Sequence, residues 1–190
     1  IELLTENELI KFRRELHSYP ETGWCEFVTT HKIVEKLRSF GLDPIYGRQV
    51  INPEFVAGRN PAKVEEAKKA ALEKGVPPEF IESMQGYTGV AAIFETGRPG
   101  PVLAIRFDMD CVDVDEAHEA GHRPFDEGWA STNPGHMHSC GHDGHTTMGI
   151  AVCNWIQENL DQLCGTIKVV FQPAEEGVRG ARPMTETGIF

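Results

Sequence analysis

The sequence predicts an α/β sandwich. Segments with helical periodicity alternate with short apolar runs of strand length. The residues able to do chemistry gather just after those runs, where open α/β sheets present ligand-binding groups.

Thr5 followed by Glu8 has the form of a capping box and opens a helix to about Ser18 that would bury Leu9, Phe12 and Leu16. A second helix is expected over 29–40, with Ile33, Leu37 and Phe40 on one face and Gly41 where a helix end favours positive φ. Residues 60–86 read as an inserted helical pair. Asn60-Pro61 starts the first helix and Gly75 ends it; Pro77-Pro78 opens the second and Gly86 closes it. The period then changes. Runs at 90–94 and 102–107, separated by Gly97-Arg98-Pro99-Gly100, predict two strands around a turn. A helix over 146–160 and a buried strand over 165–171 follow, and residues 184–190 read as a helix end leading into another strand.

Charge narrows the possible partners. The 190 residues carry 18 Lys plus Arg against 29 Asp plus Glu, a net charge of −11, which disfavours nucleic acid and anionic membrane surfaces. The densest basic stretch, Lys11-Phe12-Arg13-Arg14, lies in a helical pattern and reads as a solvated face. No apolar run approaches the ~18–20 residues needed to span a bilayer, and residues 1–6 lack the pattern of a secretory signal. Five cysteines, at 25, 111, 140, 153 and 164, are expected to be reduced thiols in a cytoplasmic protein, with Cys153 and Cys164 acting as small hydrophobes.

Three motifs carry chemistry. The densest is His136-Met137-His138-Ser139-Cys140-Gly141-His142-Asp143-Gly144-His145. If this segment is extended, Cys140 and His142 share a face and can converge on one metal, with Asp143 and His145 at the mouth of the next helix. A closed structural zinc site would want paired Cys knuckles, which are missing. The second motif, Phe171-Gln172-Pro173-Ala174-Glu175-Glu176-Gly177, puts two adjacent carboxylates after a buried strand, where their repulsion invites a cation. One could bind metal while the other activates water; an exposed acidic turn is the plainer alternative. The third, Arg106-Phe107-Asp108-Met109-Asp110, puts Asp108 and Asp110 on one face as ligands, as supports for a ligand imidazole, or as turn residues.

Together, in this order, the three motifs resemble the signature blocks of the metallopeptidase family that holds the aminoacylases and acetylornithine deacetylase. Cys140 points to its amidohydrolase branch, that of the hippurate and auxin-conjugate hydrolases. Stretches such as Arg13-Arg14-Glu15-Leu16-His17, Glu21-Thr22-Gly23-Trp24 and Thr96-Gly97-Arg98-Pro99-Gly100-Pro101 extend the likeness over essentially the whole chain, toward members acting on aminobenzoyl-glutamate.

The resemblance implies a three-layer α/β/α zinc-peptidase-like catalytic domain with a mixed sheet. Residues 1–190 would be its N-terminal part, incomplete at the C-terminus, with the lid or dimerisation domain and further histidine ligands lying beyond. It implies two divalent metal ions, Mn2+ or Zn2+, with Cys140 as a bridging thiolate, His142 and Glu176 as terminal ligands, and Glu175 as general base. Asp108, Asp110, His138, Asp143 and His145 are left as supporting residues without fixed roles; Arg106 stands where the wider family has histidine. The implied substrate is a small N-acyl amino acid, aminobenzoyl-glutamate first. The implied assembly is a homodimer or a hetero-oligomer in which a related subunit takes part. The competing reading is a non-catalytic metal-binding or interaction module. Arg179 and Arg182 are candidates for the substrate's carboxylates on charge alone.

Overall fold

The computed structural model describes residues 2–190. Helix α1 (Glu6–Ser18) begins at the expected box: Thr5 accepts from Glu8 N–H while the Glu8 carboxylate accepts from Thr5 N–H. Its buried face is Phe12, Leu16 and His17, with Leu9 only half-buried. Helix α2 (Phe27–Ser39) starts two residues earlier than expected and buries Ile33, Val34 and Leu37 completely. Its early start has a local cause. Glu21 accepts from Val28 N–H and Thr29 N–H, satisfying donors that a first helical turn leaves free. After the short β1 (Ile45–Tyr46) come α3 (Pro61–Glu73), capped by the Asn60 side chain, and α4 (Pro78–Ser83).

Strands β2 (Val90–Glu95), β3 (Val102–Asp108) and β4 (Thr166–Gln172) join β1 in a mixed sheet of order β1-β2-β4-β3. The expected turn between β2 and β3 is present, but the two strands do not pair. β4 lies between them, antiparallel to β2 and parallel to β3. The intervening segment is the reason. Its polar backbone closes on the start of β4, through Thr96 N–H to Gly165 O (3.2 Å), Gly165 N–H to Arg98 O (2.9 Å) and Thr166 N–H to Pro101 O (3.0 Å). With those bonds made, β4 occupies the slot a hairpin partner would take. Residues 189–190 are irregular, not a strand.

The long helix α6 (His142–Glu158) lies on the sheet face carrying Phe107 and Phe171, preceded by the one-turn α5 (Arg123–Asp126) and followed later by α7 (Ala181–Thr185). Helix and sheet meet at Gly149, where a Cβ would lie 2.5 Å from the Phe171 ring and 2.7 Å from the Phe107 ring. Helices α1 and α2 pack beside α6. On the opposite face, Lys168 Nζ donates to Ile189 O, so the last residues of the chain cross it. Cys153 is buried in α6 as expected, whereas Cys164 is exposed, because it sits in the turn before β4 and not in the strand; all five thiols are free.

The tight seat of α6 gives a direct stability test. Gly149→Val pushes two methyl groups into the Phe107–Phe171 pair and should lower unfolding free energy by about 1–3 kcal/mol. Urea denaturation measures this, and an unchanged midpoint would contradict the packing described.

Candidate metal centre

Because β3 and β4 run parallel with Asp108 in register against Gln172, their C-terminal ends lie side by side. The chain leaving β3 carries Asp110, and the turn leaving β4 carries Glu175 and Glu176. The third component is the start of α6, which differs from expectation. Gly141 takes a left-handed conformation (φ 84°) that turns the chain directly into the helix, and His145 N–H closes the first helical bond onto Gly141 O at 3.0 Å. His142, Asp143 and His145 therefore belong to the first helical turn. Cys140 stays outside and exposed while His142 is buried, so the two do not share the face of an extended segment.

His142 is the hub. Its Nδ1–H donates to Asp110 O at 2.8 Å, which leaves Nε2 facing the carboxylates. From Nε2 the distances are 3.4 Å to Asp108 Oδ1, 3.6 Å to Glu175 Oε2 and 3.7 Å to Glu176 Oε1. One potential ligand atom each from Asp108, His142 and Glu175 falls within a common span of 4.8 Å. Burial opposes a charge on His142, but the hydrogen bond to Asp110 and the negative field of Asp108 and Asp110 outweigh it and push the imidazole up to about 9.

That donor set fits a divalent cation. Imidazole and carboxylate oxygens suit zinc and manganese alike. Asp110 Oδ1 and Glu176 Oε1 are buried without a hydrogen-bond partner, and such oxygens are stabilised by positive charge. Cys140 joins from the rim. Its hydrogen bond to Glu176, some burial, and the Glu176 and Glu175 charges push the thiol up to about 11, so a thiolate there calls for a cation.

The remaining expected residues divide. His145 Nδ1 makes a very short contact with Asp108 Oδ1, and Arg106 Nη1 bonds Asp108 Oδ2 at 3.1 Å and Gln172 Oε1 at 3.1 Å. Both orient Asp108. Asp143 points away from the hub: its Oδ2 accepts from Arg13 Nε (3.0 Å) and His17 Nδ1 (2.8 Å). His138 is buried with neither ring nitrogen hydrogen-bonded, and burial pulls it down to about 4, so its ring is neutral. Arg179 Nη1 donates to Gly58 O, and Arg182 pairs with Glu186 at 4.0 Å.

Sequence reasoning did not single out two supports. Glu26 is completely buried, pushed up to about 8 by burial and the Asp110 charge, and it accepts from Ala174 N–H. His17 lies between Asp143 and Glu116, with Nε2 2.9 Å from Glu116 Oε1. Helical periodicity marks His17 as inward-facing, but its acidic partners are 126 and 99 residues away in the chain. No local signal marks Glu26, which looks like an ordinary acidic residue at a helix start.

Burial opposes the charged form of His17, yet its hydrogen bonds to Asp143 and Glu116 and their charges prevail, so its pKa is raised. A folded-state pKa above the unfolded one gives stability that is complete below the unfolded value of about 6.5 and fades as pH rises through the folded value. His17→Gln should therefore cost more stability at about pH 6 than at about pH 9. Equal losses at both pH values would contradict a charged His17.

Comparison with known proteins bears on this geometry. Residues 104–190 match the model of peptidase family M20/M25/M40. The chain is 48% identical, over 97% of its length, to a Haemophilus influenzae homolog of one subunit of p-aminobenzoyl-glutamate hydrolase, and covers 44% of that protein. The crystal structure of an aminobenzoyl-glutamate utilization protein from Klebsiella pneumoniae matches with a TM-score of 0.77 at 34% identity, over 96% of this chain and 40% of that one. A dinuclear metal binding peptidase of the M20 family from Bacillus subtilis matches with a TM-score of 0.69 at 30% identity, over 96% and 39%. The chain thus spans less than half the length of each of these relatives. By sequence and by fold, the chain is similar to members of peptidase family M20/M25/M40, and the ends of β3 and β4 with the start of α6 bring together Asp108, His142 and Glu175.

Proposed function

We propose that this chain forms part of a metal-dependent hydrolase that cleaves the amide bond of an N-acyl amino acid, with aminobenzoyl-glutamate as the first substrate to test. The observation that carries the reading is the convergence of Asp108, His142 and Glu175 within 4.8 Å at the strand ends, with Glu176 beside them. The names of the Haemophilus and Klebsiella relatives favour the substrate, and the Bacillus relative favours a pair of metals.

In this reading Cys140, His142 and Glu176 would hold two divalent ions, Mn2+ or Zn2+. When bound, such ions lower the pKa of water and polarise a carbonyl oxygen. Asp110 fixes the His142 ring by accepting its Nδ1–H, so Nε2 keeps its lone pair for the centre. The Glu175 carboxylate takes the proton of the attacking water and delivers it to the departing amine. Asp108, held by Arg106 and His145, supplies negative charge beside His142 Nε2, 3.4 Å away. Residues 1–190 would be the N-terminal part of the catalytic domain, with α3 and α4 as an insertion and a lid or dimerisation domain elsewhere in the intact protein. That protein would be cytoplasmic, which suits its five free thiols, and would form a homodimer or a complex with a second, related chain.

The two carboxylates lie almost equally close to His142, so substitution must separate them. Glu175→Gln in the intact protein should keep its metal and lose roughly 10²–10⁴-fold in hydrolysis. Glu176→Gln should lose metal, with activity partly restored by excess cation. Metal content and turnover measured together decide. The opposite pattern reverses the roles, and no effect from either change removes the mechanism.

A further inference from the structure

Glu26 has no part in the proposed reaction, yet the fold buries its carboxylate completely. It occupies the position just before α2 where a side chain would cap the helix, but it makes no such bond. Glu21 already serves Val28 and Thr29 there. Glu26 instead turns inward: one oxygen accepts from Thr88 Oγ1 at 2.6 Å and the other from Ala174 N–H at 2.8 Å.

Ala174 is the residue before the two candidate carboxylates. It holds a left-handed conformation (φ 52°), which alanine takes up only when its surroundings impose it. Two residues on, Glu176 N–H donates to Asp110 Oδ2 at 3.1 Å. Alternate amides of the turn, at 174 and 176, thus each end on a buried carboxylate, and Glu175 stands between them. Gly23 presses on the same turn, so closely that a Cβ there would lie 2.9 Å from Ala174 Cα.

We propose that Glu26 is a positioning residue: through Ala174 N–H it holds the 174–176 turn in the conformation that aims Glu175 and Glu176 at His142. The role rests on the proposed hydrolase reading, because it matters to catalysis only if those carboxylates act. Glu26 never touches the reacting atoms. Its effect is geometric, and a misplacement of about 1 Å at a reacting centre costs on the order of 10²-fold in rate.

The test compares Glu26→Leu, which keeps bulk and removes both acceptors, with Glu26→Gln. The amide of Gln can still accept from Ala174 N–H and can donate to Thr88 Oγ1. Hydrogen exchange of the 174–176 amides in the intact protein should quicken about tenfold or more in the Leu variant, and stay within about threefold of wild type in the Gln variant, while β4 is unchanged. With aminobenzoyl-glutamate as substrate, kcat should fall about tenfold or more in the Leu variant with KM little altered, and Gln should restore most of it. Unchanged exchange at 174–176 in the Leu variant, with only a lowered melting temperature, would overturn the proposal. So would a Gln variant as impaired as the Leu variant. If the Leu variant does not fold, Thr88→Val removes the other partner of Glu26 and should move exchange and kcat in the same direction by less; no movement overturns the proposal. Absence of hydrolysis in the unmodified protein would sink the hydrolase reading alone, since the exchange measurement still decides the role of Glu26.

Discussion

The structure depends on one electrostatic constraint: several carboxylates are gathered around a single imidazole at the ends of two parallel strands. Asp108 and Asp110 are buried, Glu175 and Glu176 half-buried, and all face His142. Like charges at such distances repel strongly unless protons or cations intervene. The raised pKa of His142 expresses the same field, since a ring proton sets a positive charge among these carboxylates. A divalent cation would meet that demand better and would also satisfy the unpartnered oxygens of Asp110 and Glu176.

The rest of the fold holds that arrangement rigid. Parallel pairing of β3 and β4 fixes the two acidic segments side by side, and the absence of a side chain at Gly149 lets α6 sit low enough for His142 to reach between them. A second network secures α6 from behind. Asp143, one residue past His142, is tied to Arg13 and His17 on α1, and His17 continues to Glu116 and thence to His122. Asp143 thus acts as an anchor for the start of α6. The hub itself is built from residues that approach from three separate segments.

The sequence made the architecture legible because its local signals were strong. The Thr5–Glu8 box, the Asn60 cap and the apolar run of β4 each stand where they were expected. The strand order was hidden because it is set by backbone bonds from residues 96–101 to Gly165 and Thr166, and no side-chain pattern reports these. In the site, residue types announced the cluster but not its geometry. An extended segment would have put Cys140 and His142 on one face, whereas the left-handed Gly141 turns the chain into α6 at His142, whose ring meets Asp108. Glu26 escaped notice because its importance lies in one hydrogen bond to a residue 148 positions away.

The central claim is that this convergence is a cation site. Anomalous diffraction from crystals of the intact protein soaked in Mn2+ tests it most directly. The account predicts a peak within coordination distance of His142 Nε2 and of a carboxylate oxygen of Glu176. Crystals that take up Mn2+ only at other sites, or not at all, would contradict it.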